Sequence, residues 1–284
     1  MLSRLIASAC ALALLIAVLS NKPALAASLD GGSTRYFATL PPHASLPSGA
    51  ECAAEIPPTP ETVIGNIPFN HQIPTKLQLA GFHLAAMAKP TLPGVDYERI
   101  DGDYTGSTDM ILRWAACKWG IDENLVRAQA WTESKWIQGG TNPPRGGGDR
   151  RYDRSQCVRG TFDALWDYDC PNCCYQSWGI LQTKVYYAPA TWPMIKDSTA
   201  FNADYRYAEE RACLDGKFTS YFASAAQQPN TYSLDVAAGN VDRLLWGCTG
   251  MHFSGGWYDH NALPYIDEVR RALYAQPWTR LSSE

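Results

Sequence analysis

The stretch DENLVRAQAWTESKW, residues 122–136, has the residue pattern of one amphipathic helix. Asp122 is a typical helix-capping residue, and Val126 and Gln129 fall on the same face as Glu133 because an α-helix turns by about 100° per residue. Burying a carboxyl group on such a face costs free energy unless a cation pairs with it or it keeps a proton. The stretch therefore predicts a buried helix and a carboxyl group in a special environment.

Two explanations of Glu133 are open from this pattern. A cation such as Arg113 or Arg127 can hold the carboxylate in a structural ion pair, and the helix pattern alone favours this explanation. The alternative is catalysis, because an enzyme that cleaves glycosidic bonds needs a carboxyl group that keeps its proton near neutral pH and transfers it to the glycosidic oxygen. The choice depends on the motifs that follow.

Residues 1–26 have the features of a Sec-type signal peptide. Arg4 precedes an apolar run over residues 5–19, and Ala24 and Ala26 occupy the −3 and −1 positions of a cleavage site. The apolar run is too short for a membrane span. We therefore expect an exported protein, periplasmic or secreted, with no membrane anchor after signal removal.

The charge balance argues against nucleic acid as a partner. The signal peptide contains two cations and no acid, so its removal changes the formal net charge from −4 to −6. Nucleic-acid binding requires a basic face, which this composition does not supply. We expect recognition through a shaped site, with no nucleic acid bound.

Cysteine usage agrees with export. Of nine cysteines, Cys10 lies in the signal peptide, and the remaining eight form an even set that predicts four disulfides. Cys170-x-x-Cys173-Cys174 has a second interpretation as metal ligands, which is weaker because no histidine lies nearby and oxidation competes for the thiols. The histidines also lack metal-ligand spacing, so we predict no metal and no cofactor.

Composition divides the remainder into two parts. Ten of the nineteen prolines fall within residues 41–93, and proline fixes φ and lacks a backbone N–H. We predict that residues 27–104 form a proline-rich N-terminal arm, anchored through Cys52, that wraps the next domain and contains one short helix at Lys76–Ala88. Residues 105–284 have a helical pattern and are predicted to form one mainly α domain.

The helical pattern has recognisable boundaries in this second part. Thr108 and Asp122 are predicted to cap its first two helices, and Gly120 to end the first. Further helices are predicted at residues 180–186, 202–213, 236–246 and 262–274, and a surface loop at residues 142–159. Alternation typical of strands is scarce.

Two motifs in this domain resemble a known family. A predicted helix ends with Trp131-Thr132-Glu133-Ser134, and the chain continues to Ser177-Trp178-Gly179-Ile180-Leu181-Gln182. The pair resembles the helix-terminal Glu-Ser and the Ser-x-Gly-Leu-Met-Gln-like motifs of soluble lytic transglycosylases (the SLT domain) and goose-type lysozymes. The resemblance implies a lysozyme-like, SLT-type fold and cleavage of the MurNAc–GlcNAc bond in the glycan strands of peptidoglycan.

By this resemblance, Glu133 is the catalytic general acid/base. Ser134 is expected to stabilise the turn behind it, and Ser177 and Gln182 to line the cleft. Gly179 suits close approach of substrate because glycine has no Cβ, and an amide side chain both donates to and accepts from an acetamido group. Trp178 and Trp257 are expected to offer flat indole rings on which sugar rings stack. The expected substrate-binding residues are Ser134, Ser177, Trp178, Gly179, Gln182, Asn202, Phe253 and Trp257.

Two later segments match the family loosely. Asn202, in Ala-Phe-Asn-Ala, resembles the family's Asn-Ile segment. Residues 250–257, GMHFSGGW, lie where the family has Ala-Tyr-Asn-Ala-Gly. Phe253 cannot supply the hydroxyl of the family's tyrosine near the catalytic Glu, so Tyr207 or Tyr258 is the expected substitute.

A serine hydrolase is the weakest alternative. His252-x-Ser254-x-Gly256 is close to a nucleophile-elbow motif, but the chain lacks the strand and βα units that such a site needs. We therefore expect His252 and His260 to be packing or surface residues.

The number of acids bears on the reaction. Hydrolysis of a glycosidic bond uses a second carboxylate, and neither motif contains one. The candidates for this second acid are Asp149, Asp153 and Asp204, but no sequence pattern links them to Glu133. We therefore expect transglycosylation that forms 1,6-anhydro ends. A goose-type-lysozyme-like hydrolase, and a catalytically impaired glycan-binding protein, remain the alternatives. The expected partner is peptidoglycan, and the sequence identifies no protein partner.

Overall fold

A computed structural model describes residues 35–139, 147–151, 157, 174–224 and 231–281. The described part is mainly helical with few strands. Its α-helices are α1 (Gly49–Ala54), α2 (Ile67–Asn70), α3 (Lys76–Ala88), α4 (Thr108–Trp119), α5 (Glu123–Ser134), α6 (Met194–Asp197), α7 (Thr199–Leu214), α8 (Thr219–Ser224), α9 (Tyr232–Ala237), α10 (Val241–Ser254) and α11 (Ala262–Ala275). Short 3₁₀ turns occur at Ile64–Asn66, Tyr97–Arg99, Pro189–Thr191 and Pro277–Arg280.

Three short strands form one antiparallel sheet. They are β1 (Gly147–Arg151), β2 (Cys174–Trp178) and β3 (Thr183–Lys184), with β2 in the centre. In the register, Ser177 faces Gly148 on one side and Lys184 on the other. The predicted surface loop at residues 142–159 thus contains β1, and the remainder of that loop lies outside the described residues except for Cys157.

Helices α4 and α5 begin where the sequence predicts, with one change at a cap, and α5 ends two residues before Trp136. Helix α4 begins at Thr108, but Ser107 is its cap and accepts a hydrogen bond from the Met110 backbone at 3.3 Å. Gly120 ends α4 with φ of 61°. Asp122 caps α5, as predicted, and accepts from two backbone N–H groups. The helix ends at Ser134, because Lys135 and Trp136 take positive φ values.

The predicted helices at residues 76–88 and 262–274 are confirmed as α3 and α11, and the one at 202–213 lies within α7. The helix predicted at residues 180–186 is wrong. Gly179 and Gln182 have positive φ values, which turn the chain back from β2 into β3. The helix predicted at residues 236–246 is instead two helices, because Gly239 has a positive φ and Asn240 caps α10.

The proline-rich segment packs closely against the central helices. The Cys52–Cys117 disulfide joins α1 to α4. The Glu61 carboxylate accepts hydrogen bonds from the backbone N–H and the hydroxyl of Thr108, at 2.7 and 2.9 Å, at the start of α4. Residues 35–104 contain three α-helices where one was predicted. The domain boundary at residue 105 stays a prediction.

Three disulfides are present in the described part of the chain: Cys52–Cys117, Cys157–Cys174 and Cys213–Cys248. The last joins α7 to α10. Cys170 and Cys173 lie outside the described residues, as does the predicted signal peptide. Of the helices that the structure describes, none has the length and apolar character needed to span a bilayer.

Candidate active site around Glu133

Glu133 lies in the last turn of α5, with about 11% of its side chain exposed. One of its carboxylate oxygens, Oε1, is held by two side chains. The Tyr265 hydroxyl, from α11, donates a hydrogen bond to Oε1. The Nε2 atom of His252, from α10, lies 3.2 Å from the same oxygen. Three helices that are distant in sequence thus converge on one carboxyl group.

Tyr265 is itself positioned by a chain of buried hydrogen bonds. Tyr207, on α7, donates to Gln129 Oε1 at 3.0 Å, and Gln129 Nε2 donates to the Tyr265 hydroxyl oxygen at 3.2 Å. Gln129 precedes Glu133 by one helical turn, so both face the same interior. Because every group in the chain is engaged, the Tyr265 hydroxyl has a fixed direction toward Glu133.

The protonation states of these partners follow from burial. Burial, and then the charge of Glu133, raise the pKa of Tyr265 well above its usual value, so the phenol keeps its proton and donates it. Burial lowers the pKa of His252, and nearby Arg206 lowers it further, against the opposing effect of Glu133. These effects favour a neutral imidazole beside the carboxyl group at neutral pH.

The structural ion pair considered for Glu133 does not form with either predicted cation. Arg113 pairs with Glu123 at 3.1 Å, and Arg127 pairs with Asp109 at 2.7 Å and with Glu123 at 2.8 Å. Both cations are thus engaged by other acids, and Glu133 has a hydroxyl and an imidazole as its partners.

Glu133 opens into a cavity of about 130 Å³. The motif residues Ser177 and Gln182 line this cavity, together with Lys184, His252 and Phe253. A wider cavity of about 480 Å³ adjoins it. The two cavities share the side chains of Gln182, Lys184, His252 and Phe253.

The predicted residues Ser134, Gly179 and Asn202 build the turn that carries Gln182. The Ser134 hydroxyl donates to the Ile180 carbonyl at 2.8 Å, which ties the end of α5 to this turn. The Asn202 amide donates to the Trp178 carbonyl at 2.9 Å and accepts from the Leu181 N–H at 3.0 Å. A Cβ on Gly179 would lie 2.3 Å from the Asn202 amide nitrogen. Gly179 is therefore required for the approach of α7 to the turn.

The aromatic residues of the prediction occupy different environments. Trp178 is buried, packs edge-to-face on Trp192 with ring centroids 5.1 Å apart, and lies in the core, away from both cavity linings. Trp257 is partly buried and its indole N–H donates to Thr231 at 3.2 Å, also away from the linings. Phe253 is 53% exposed and lines both cavities.

The sequence-based expectations for three further residues are wrong. His252, expected to be a packing or surface residue, contacts Glu133. Neither Tyr207 nor Tyr258 reaches Glu133: the Tyr258 hydroxyl donates to the Arg243 carbonyl at 2.8 Å, and Tyr207 acts only through Gln129. Tyr265 supplies the hydroxyl instead. The pattern of the predicted helix at residues 262–274 places Tyr265 on its inner face, but the sequence does not show that Tyr265 contacts Glu133.

Of the three acids considered as a second carboxylate, Asp204 is structural. It is fully buried and pairs with Lys118 at 2.8 Å. It also accepts hydrogen bonds from the Trp119 indole and from the backbone of Asp101 and Gly102. The side chain of Asp149 and all of Asp153 lie outside what the structure describes. In the described residues, no group of three or more His, Cys, Asp or Glu is arranged to hold a metal ion.

Comparisons with protein-family models, with curated proteins and with solved structures gave no match to this chain. The resemblance to lytic transglycosylases and goose-type lysozymes therefore rests on the two sequence motifs alone.

Proposed function

We propose that this protein is an exported, lysozyme-like enzyme that cleaves the glycan strands of peptidoglycan at the MurNAc–GlcNAc bond, with Glu133 as the general acid/base. The observation that carries the proposal is the setting of Glu133. It is a largely buried carboxyl group with one oxygen held by Tyr265 and His252, beside a cavity lined by Ser177 and Gln182. Glu133, Ser177 and Gln182 are residues that the two motifs predict for this chemistry.

The contacts of Glu133 suit proton transfer. Both partners meet Oε1, and among the described residues none forms a hydrogen bond with Oε2. Oε2 is therefore the atom that donates a proton to the glycosidic oxygen as the bond breaks. A general acid in such a position contributes about 10²–10⁴-fold to a rate.

The second half of the reaction depends on whether a second carboxyl group lies near Glu133. Among the described residues that line the cavity at Glu133, that carboxyl group is the single acid. Asp204 is occupied by Lys118 and by three other donors. Without a second carboxylate to activate water, the substrate's own N-acetyl group stabilises the positive charge that develops on the sugar.

Glu133, now ionised, then removes the proton from the sugar's 6-hydroxyl group. That oxygen attacks the anomeric carbon in place of water, and the product is a 1,6-anhydromuramyl end. We therefore favour a lytic transglycosylase over a goose-type-lysozyme-like hydrolase and over a glycan-binding protein without catalysis.

Mass spectrometry of the muropeptides released from purified sacculi tests this proposal. Transglycosylation yields anhydro ends, which are lighter than hydrolysed ends by one water. Products with reducing ends alone would identify a hydrolase and direct attention to Glu209, the acid that lines the adjoining cavity. No released product, with the purified protein still bound to sacculi, would identify a binding protein.

A further inference from the structure

The wider cavity beside Glu133 contains polar groups that the proposed reaction does not use. Thr183 Oγ1 and Tyr205 Oη line it and are buried. Thr183 Oγ1 has no hydrogen-bond partner among the described residues, and Tyr205 Oη makes no hydrogen bond of ordinary length, with Glu209 and Thr91 as its polar neighbours. Glu209 lines the same cavity with only 9% of its surface exposed. Buried polar groups in proteins are nearly always hydrogen-bonded. A buried carboxyl group and two buried hydroxyls with incomplete hydrogen bonding, all around one cavity, indicate a site built for a polar ligand.

The chemistry of the three groups selects the ligand. Glu209, when ionised, accepts hydrogen bonds only, and the hydroxyl oxygens of Thr183 and Tyr205 are also acceptors. A primary ammonium group donates three hydrogen bonds and accepts none. Its positive charge would also offset the cost of an ionised carboxylate at a buried position.

The rest of the wall suits the carbon chain that carries such an ammonium group. Leu92 and Met251 are apolar and buried, and Tyr187, Tyr221 and Phe253 add aromatic surface. Long aliphatic stems with a terminal charge pack well on surfaces of this kind. A volume of about 480 Å³ also lies within the range of small-ligand sites.

The position of the cavity connects it to the proposed substrate. Gln182, Lys184, His252 and Phe253 line both this cavity and the one at Glu133. In peptidoglycan, a stem peptide containing a diamino acid hangs from the muramyl residue whose glycosidic bond would be cleaved. A glycan strand placed at Glu133 therefore brings its stem peptide next to the wider cavity.

We propose that this cavity binds the stem peptide of peptidoglycan, with Glu209, Tyr205 and Thr183 accepting hydrogen bonds from the free ammonium group of the peptide's diamino acid. The identity of the peptide rests on the proposed function. The preference of the cavity for a primary ammonium group rests on Glu209, the single acid among the described residues that line it, and on the two hydroxyls. Lys184, the cation of the same lining, has an interaction partner of its own.

The kinetic test compares three substrates: intact sacculi, sacculi whose free amino groups have been acetylated, and glycan strands stripped of peptide. Acetylation should lower the wild-type rate about tenfold, the scale of losing a charge-assisted hydrogen bond. In E209Q, the ratio of the rate on intact sacculi to the rate on stripped strands should fall by a similar factor. T183V should lower that ratio severalfold.

E268Q is the matched control, because Glu268 lies on the exposed side of α11 with 58% of its side chain accessible. It should retain the wild-type ratio. A ratio in E209Q equal to that of the wild type, or wild-type rates that ignore acetylation, would overturn the inference.

A binding measurement separates this inference from the proposed function. Calorimetric titration uses a soluble stem tetrapeptide with a free lysine ε-amino group and its Nε-acetyl derivative. The wild type should bind the free amine at least about tenfold more tightly than the acetylated peptide, and E209Q should not distinguish them. If sacculi are not cleaved but this difference holds, the proposed function fails and the ammonium site stands. If sacculi are cleaved and the peptides bind equally, the reverse is true.

Discussion

Asp204 on α7 and Glu133 at the end of α5 are both buried acids close to predicted motifs, but their surroundings differ. Asp204 uses both oxygens: Oδ1 accepts from the Trp119 indole, and Oδ2 accepts from Lys118 and two backbone N–H groups. Glu133 uses one oxygen, which meets Tyr265 and His252, and lies beside a cavity. Burial alone therefore does not mark a reactive acid. A saturated carboxylate holds the fold, whereas one with an unengaged oxygen at a cavity can transfer a proton.

The largest effect that this comparison predicts is on stability. Asp204→Asn removes the buried charge that faces Lys118 and leaves it with the partly exposed Asp101 alone. The free energy of unfolding should fall by about 3 kcal/mol, the lower end of the cost of breaking a buried ion pair. Denaturant-induced unfolding measures the change. Asp101→Asn is the control, because the side chain of Asp101, the second partner of Lys118, is 42% exposed and should contribute less. If Asp204→Asn instead abolished cleavage while stability held, Asp204 would belong to the reaction.

The opposite pattern is expected at Glu133. Glu133→Gln should lower the rate of cell-wall clearing by at least about 10²-fold, because the amide cannot donate the proton of a general acid. Its free energy of unfolding should change by less than about 1 kcal/mol, since no ion pair with a cation of fixed charge is lost. Turbidity of sacculi and denaturant unfolding give the two readouts. A variant that clears sacculi at nearly the normal rate would refute the assignment of Glu133.

Glu209 is a third buried acid, and like Glu133 it lines a cavity. Its ionisation should make the free energy of unfolding depend on pH. Burial raises its pKa from the ordinary value near 4.5 to about 7. Between these values the unfolded chain ionises while the folded protein keeps the proton, so the free energy of unfolding falls as the pH rises. From pH 5 to pH 7 this group should remove about 1–2 kcal/mol.

Glu209→Gln eliminates the titration while preserving the shape of the side chain. The difference in free energy of unfolding between the wild type and this variant should therefore change steadily from pH 5 to pH 7. A difference that stays constant over this range would mean that Glu209 has an ordinary pKa in the folded protein.

The sequence predicted the parts of this site that depend on local structure. Asp122 caps α5 and the periodic pattern of that helix places Gln129 and Glu133 on one face, so the position of the carboxyl group could be predicted. The sequence predicts a helix at residues 180–186, where the chain instead turns from β2 into β3. The reason for the turn, the approach of Asn202 to Gly179, is a tertiary contact.

The other side of the site could not be predicted because it depends on how distant helices pack. Tyr265 is 132 residues from Glu133. The pattern of α11 predicts that Tyr265 faces inward, but the helix rotation and the neighbour it meets are set by the core. The contact of His252 with Glu133 depends in the same way on the packing of α10 against α7 and α11.

The smallest of the predicted effects tests Tyr265, on the side of the site that the sequence does not predict. Tyr265→Phe removes one hydroxyl, and with it the hydrogen bond to Glu133 Oε1 and the acceptor for Gln129. Because Tyr265 positions the acid through Oε1, kcat should fall about tenfold with little change in KM. Tyr274→Phe makes the same chemical change on the same helix, at a residue that is 94% exposed, and should leave both parameters at the wild-type values. An equal fall in the two variants, or a Tyr265→Phe enzyme with full kcat, would show that Glu133 works without this hydroxyl.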